Sequence, residues 1–294
     1  MDFRSLLSRR GHLLFDGAWG TMLQSTSLEA GDTPERLNLT APQEVAKIAQ
    51  SYIDAGSDMI ITNSFGASRL KLSNYGLDKE VRIINAEAAR ISKSVAKDTH
   101  LVFGSVGPTG RFVEPIGDVT VDEMTQVFQE QIEALISGGV DGILVETMTD
   151  LTEAECAVKA ARRVYDGPVA CTFSFDCLPI GFRTMMGVGP EQFVDRMTNA
   201  GADIIGANCG SLDPEQMVEL VASLRRLTDL PIVARPNAGV PKLVDGATVF
   251  LEPPEAFGKA ALELVEAGAS VVGGCCGTTP DHIRAMKEAL MRES

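Results

Sequence analysis

Apolar residues fall along this chain in two alternating rhythms. Short runs nearly continuous in Ile, Val, Leu, Phe or Ala recur eight times: HLLFDG from residue 12, DMIITNSF from 58, LVFGSVGP from 101, DGILVETM from 141, VACTFSFD from 169, ADIIGANCG from 202, PIVARPNAG from 231 and ASVVGGCCG from 269. Such runs suit parallel strands covered outside by helices and packed inside a barrel. Between them the apolar positions repeat with helical period. In TVDEMTQVFQEQIEALISGG, Met124, Val127, Phe128, Leu135 and Ile136 share one face, Thr120 and Glu123 have capping-box spacing, and Gly138 and Gly139 supply a left-handed stop. A joint also repeats, since DAGSDMII, SGGVDGIL, NAGADIIG and EAGASVVG each pass from a helix end through a glycine (Gly56, Gly139, Gly201, Gly268) into a strand. Eight β-then-α units over 294 residues, without a linker rich in Pro, Ser or charge, predict a single (β/α)8 TIM barrel over residues 1–294. A doubly wound sheet is the alternative. Two stretches depart from the pattern, 20–40 and 240–254, the latter reading as a loop with a small hairpin; both are expected over the barrel mouth.

Charge and composition narrow the partners. Forty acidic residues against 26 basic ones give a net charge of -14, the wrong sign for tracking phosphates, so no nucleic acid is expected. No apolar run approaches the roughly 20 residues that cross a bilayer, and the N-terminal apolar segment is too short for a signal peptide. The expectation is a soluble cytoplasmic protein with no membrane partner. In that reducing compartment the six cysteines read as thiols or metal ligands rather than a disulfide framework.

In a (β/α)8 barrel, chemistry sits where strands end and βα loops begin. Those ends carry Asp16, Asn63, Glu146, Asp176, Asn208 with Cys209, Asn237, and Cys275 with Cys276. Three cysteines at the ends of strands six and eight are near enough around a small rim to converge on one ion. Soft sulfur favours zinc, and three protein ligands leave a fourth tetrahedral position open. Neighbouring strand residues point to opposite faces, so Cys275 and Cys276 can meet one metal only if the backbone turns, which Gly273, Gly274 and Gly277 make easy. Spacing alone leaves another reading open, buried small residues or a vicinal disulfide. Asp16 and Glu146 stand out as acids ending strands one and four, against the alternative of capping or loop bonding. His12, His100 and His282 lie away from the strand ends, which argues against a Ser-His-Asp hydrolase. Cys156 and Cys171 read as packing, and Trp19 as a wall of the site or packing under its loop.

DGAWGT at 16, TNSFGA at 62, GPTG at 107, ET at 146, NCG at 208, PNAG at 236 and GGCCGTTP at 273 resemble the homocysteine S-methyltransferase family, from about residue 10 to 290. The similarity is closest to the homocysteine-binding module of cobalamin-dependent methionine synthase. It implies a (β/α)8 barrel with a zinc site at the C-terminal strand ends, held by Cys209, Cys275 and Cys276, which are then also the catalytic residues. It implies homocysteine as substrate, with Asp16 and Glu146 near its ammonium. The backbone of Gly17, Ala18 and the Ser64, Phe65, Gly66 turn would meet its carboxylate, and Asn237 would occupy the open zinc position before substrate arrives. Three anionic sulfurs suit the chemistry, because they leave electron density on a bound substrate thiolate. The chain ends about fifteen residues after GGCCGTTP, leaving no room for folate or cobalamin domains. Methylcobalamin on a separate corrinoid protein or module is therefore the expected donor. A free cationic donor, S-methylmethionine or a betaine, is the alternative, disfavoured by the few Tyr and Trp available for an aromatic cage. A zinc-stabilised interaction module without catalysis is the reading from another class, and another small thiol as acceptor a third. The loop 176–187, with Cys177, departs from the family pattern.

Overall fold

In the computed structural model, residues 2–24, 28, 31–244 and 247–292 are described. The eight apolar runs form eight parallel strands: β1 (Leu13–Leu14), β2 (Met59–Ile61), β3 (Leu101–Val106), β4 (Gly142–Met148), β5 (Val169–Phe173), β6 (Ile204–Asn208), β7 (Ile232–Arg235) and β8 (Val271–Val272). Each strand pairs with its successor from β2 through β8, and β8 pairs with β1. The seam between β1 and β2 is drawn together where Asp58 N–H donates to the Leu14 carbonyl at 2.7 Å and Leu14 N–H donates to the Asp58 carboxylate at 2.9 Å. The result is a nearly closed barrel, and the doubly wound alternative is excluded.

One long helix follows each strand, in order Pro42–Asp54, Val81–Ala96, Val121–Ser137, Leu151–Val164, Pro190–Ala200, Pro214–Arg225, Pro254–Glu266 and Pro280–Arg292. The joint glycines have one local cause. Gly56, Gly139, Gly201 and Gly268 all take φ between +94° and +110°, a region that a Cβ makes costly, and so turn the helix end back toward the next strand. In the third helix Thr120 caps Glu123 N–H at 3.2 Å, and Met124, Val127, Phe128 and Leu135 are buried while Ile136 is half-buried.

The barrel interior is filled by rings. Phe3, from an N-terminal helix (Phe3–Arg10), meets Phe103 edge-on at 5.9 Å, and Phe103 meets Phe15 in the same way. Gly142 makes room for this, since a Cβ there would lie 2.4 Å from the Phe103 ring. Above Phe15, at 4.6 Å from its ring, sits the Arg235 guanidinium. The stretch 20–40 contains short helices at Gly20–Gln24 and Leu37–Thr40 and a 3₁₀ turn at Pro34–Arg36; residues 25–27, 29 and 30 lie outside the described ones. The expected hairpin in 240–254 is present as Lys242–Val244 paired with Ala247–Val249, with 245 and 246 likewise outside the description. A second hairpin, Asp176–Leu178 with Gly181–Arg183, stands in the segment after β5, where the sequence pattern predicts only a loop. Among the described residues no helix is long and apolar enough to cross a membrane.

Candidate metal centre

Cys209, Cys275 and Cys276 meet at the C-terminal rim. Cys209 follows β6 directly with φ of +59°, a left-handed conformation rare outside glycine, which aims its side chain toward the β8 loop. That loop is braced from β7: Cys275 N–H donates to the Pro236 carbonyl at 2.8 Å, and Ala238 N–H to the Cys276 carbonyl at 2.9 Å. Gly277 takes φ of +78° and makes the turn. Gly273 and Gly274 serve close approach instead, because a Cβ would fall 2.7 Å from Phe15 Cβ or 2.3 Å from Thr278 Oγ1.

The sulfurs of Cys209 and Cys276 lie 3.8 Å apart, and all three lie within 4.8 Å of one another. Tetrahedral zinc with bonds of about 2.3 Å separates its sulfur ligands by about 3.8 Å, so the cluster is of the right size to hold such an ion. The donor chemistry agrees. The Cys275 and Cys276 thiols hydrogen-bond to Cys209 and hold it well below the usual thiol range, while their own pKa values are pushed up by that same contact. A divalent cation at the centre would replace those shared protons. Asn208 braces the cluster: its Nδ2 donates to Cys275 Sγ at 3.6 Å and to Thr147 Oγ1 at 2.7 Å, and its Oδ1 accepts from Thr147 N–H and Thr172 Oγ1. Asn237 Nδ2 donates to the Gly210 carbonyl at 2.8 Å, leaving Oδ1 buried with no hydrogen-bond partner among the described residues. An orphaned buried oxygen of this kind calls for a partner.

Beside the sulfurs opens a cavity of about 340 Å³. Cys209, Cys275, Cys276, Gly17, Ala18, Ser64, Phe65 and Glu146 form part of its wall; Asp16, Gly66 and Asn237, also singled out in the sequence, do not. Trp19 is in the wall, and its indole N–H donates to Asp16 Oδ2 at 2.7 Å. Cys177 is exposed on the hairpin after β5, outside the cysteine cluster. His282 is tied to Thr279 and to the Glu252 carbonyl and has no place in the cavity wall.

Sequence reasoning missed Arg235. It is 2% exposed, and its guanidinium donates to Asp16 Oδ1 at 3.0 Å, Glu146 Oε2 at 3.2 Å and the Gly274 carbonyl at 3.1 Å. One side chain therefore ties the ends of β1, β4 and β8 together. The available signal was an arginine closing an otherwise apolar strand, which rarely goes unpaired. Burial raises the pKa of Glu146 and pushes Asp16 up to about 6, with Arg235 opposing both shifts.

The Asp16 shift predicts a pH dependence. Its folded value lies above the ordinary 3.8, so the native state holds more protons than the unfolded chain between those values. Stability contributed by this group falls as pH rises from about 4 to about 6 and is level above. Urea unfolding across that window is expected to show the decline in the native protein and a flatter curve in Asp16→Asn; parallel curves would refute the assignment.

Fold and cluster together define the class, a (β/α)8 barrel carrying at the C-terminal rim of its strands a three-cysteine cluster that could hold a metal ion. The chain belongs to the homocysteine S-methyltransferase family, whose pattern it matches over residues 13–290. It is 32% identical to the methionine synthase of Mycobacterium leprae over 292 residues and to that of Mycobacterium tuberculosis over 304, alignments covering 94% and 98% of this chain. It spans only about a quarter of the length of those relatives, 24% and 25%. In fold it is similar to the crystal structure of the Escherichia coli homocysteine methyltransferase MmuM in its metallated form, with a TM-score of 0.81 at 24% identity, covering 97% of this chain and 98% of that one.

Proposed function

We propose that this chain, as one barrel domain over residues 1–294, is a zinc-dependent methyltransferase that moves a methyl group to the thiol of homocysteine, giving methionine. The observation carrying the reading is the convergence of three sulfurs, at zinc-ligand spacing, on the wall of a substrate-sized cavity. Cys209, Cys275 and Cys276 would hold the ion, and Asn237 Oδ1 would complete its shell before the acceptor arrives. Bound zinc supplies one thing: it displaces the proton from a thiol whose free pKa near 8.5 would leave it mostly unreactive at neutral pH. The chain's own residues do the rest. Asn208 fixes the Cys275 sulfur, Gly17, Ala18, Ser64, Phe65 and Glu146 wall the cavity, and Arg235 locks three strand ends at fixed spacing. As the acceptor sulfur forms its bond to the methyl carbon, the carbon–donor bond breaks and its electron pair leaves with the donor.

Methylcobalamin, carried by a separate corrinoid protein or module, is the donor we favour. The similarity to methionine synthases roughly four times as long supports it, and among the described residues Trp19 and Phe65 are the only aromatic rings in the wall, few for caging a free sulfonium or quaternary ammonium. A reducing, cytoplasmic setting fits three thiols that must stay unoxidised. The test is a donor panel on zinc-loaded protein: homocysteine with S-methylmethionine, with a betaine, and with a methylated corrinoid protein. Methionine forming only with the last is the expected result; turnover with a free cation reverses the donor assignment. Zinc X-ray absorption is expected to gain one sulfur scatterer on adding homocysteine, and an unchanged shell would favour the non-catalytic zinc module.

A further inference from the structure

Two loops that wall the cavity are joined by a side chain that is not part of the wall. Cys275 lies in the loop after β8, and Gly17 and Ala18 in the loop after β1; all three line the cavity, whereas Thr278, from the same motif as the paired cysteines, does not. Thr278 is fully buried, and its hydroxyl makes two contacts at once. It donates to the Cys275 carbonyl at 2.7 Å and accepts from Ala18 N–H, 260 residues away in sequence, at 3.1 Å. A hydroxyl is donor and acceptor together, so this one group closes the turn behind the cysteine and carries the β1 loop with it. Glycines on both sides admit it: a Cβ would lie 2.7 Å from Thr278 Oγ1 at Gly17 and 2.3 Å from it at Gly274.

Tyr52 holds the other side of Ala18. This fully buried residue of the helix Pro42–Asp54 donates its hydroxyl proton to the Ala18 carbonyl at 2.6 Å, with the Thr278 carbonyl a further contact at 3.4 Å. Both backbone polar groups of Ala18 are thus held by side chains, one from the loop that carries Cys275 and one from the helix behind. Lower down, Gly274 N–H donates to the Asp16 carbonyl at 3.0 Å and Arg235 donates to Asp16 and Glu146. Those contacts join the strand ends, while Thr278 and Tyr52 set the spacing of the loops beyond them. An acceptor with its sulfur at the cysteines and its head group at the ends of β1 and β4 must span that spacing. A rigid span favours one chain length.

We propose that Thr278, supported by Tyr52, is a positioning residue that sets the length of acceptor the site takes, by holding the Gly17–Ala18 loop at a fixed distance from the loop that carries Cys275. This rests on homocysteine as acceptor. Calorimetry on zinc-loaded protein compares homocysteine with cysteine, one methylene shorter, and with 2-amino-5-mercaptopentanoate, one methylene longer. The native protein is expected to bind homocysteine at least about tenfold more tightly than either homologue, the ordinary worth of one methylene in a fitted site. Thr278→Val, which keeps the shape and removes the hydroxyl, is expected to narrow both ratios to less than about threefold. Tyr52→Phe is expected to narrow them in the same direction, and Thr278→Ser to keep the native ratios. Plain destabilisation would weaken all three thiols by one factor and leave the ratios alone. Unchanged ratios in Thr278→Val, equal narrowing in Thr278→Ser, or a native protein that binds the three thiols alike overturns the proposal. If Thr278→Val does not fold or load zinc, Tyr52→Phe decides by the same criterion. Failure of the native protein to bind homocysteine at all would instead overturn the acceptor reading itself.

Discussion

Cys276→Ser, like Cys209→Ala and Cys275→Ser, is expected to lose zinc and to lower methyl transfer by a thousandfold or more on an order-of-magnitude count, with the barrel still folded. Serine is a hard, un-ionised ligand in place of a thiolate, and two sulfurs do not make a stable zinc site. Without the ion an acceptor thiol of pKa near 8.5 is only a few per cent ionised at pH 7, a loss of about thirtyfold. Losing the fixed position of the sulfur against the methyl carbon accounts for the remainder. Folding survives because the cysteines sit in loops beyond the strand ends and none belongs to the apolar core. Metal analysis, circular dichroism and turnover on the same samples check this, and activity persisting in a zinc-free variant would contradict it.

Arg235→Met should produce the largest loss of stability of any single change at the site. The side chain offsets two buried carboxylates, and removing one partner of a buried network typically costs about 3–5 kcal/mol because the opposite charge stays buried. With about 2.1 cal/mol/K of unfolding entropy per residue, that corresponds to a fall in Tm of roughly 5–8 °C for a chain of this size. Adding Asp16→Asn and Glu146→Gln should recover much of the loss, since the stranded charges go with them. A Tm within about 1 °C of the native protein in the single variant would show that the three charges are not energetically joined.

The strands and most helices were legible because burial on both faces leaves an unbroken apolar run, and because each joint glycine answers to a backbone that only glycine adopts cheaply. Cys209, Cys275 and Cys276 were legible for a related reason: once β6 and β8 are placed, their ends are nearby on the rim. Arg235 was not, although it stands beside Pro236 in a motif already singled out. Its meaning depends on Asp16 and Glu146, 219 and 89 residues away, and no local pattern carries that pairing. The hairpin at 176–183 was hidden because it packs outside the barrel, with Cys177 and Leu178 exposed, so its strands lack the apolar runs that mark the others.

The three cysteines follow β6 and β8, and the chain between them must supply two helices, β7 and a hairpin before Cys275 and Cys276 can join Cys209. During synthesis Cys209 leaves the ribosome with nothing to share an ion with. Metal loading of the proposed site would therefore be a late event in biogenesis, coming after the polypeptide has closed on itself. If the proposed zinc site is right, a cell short of the ion would accumulate folded but inert molecules, and output would follow the supply of the ion rather than the yield of folding.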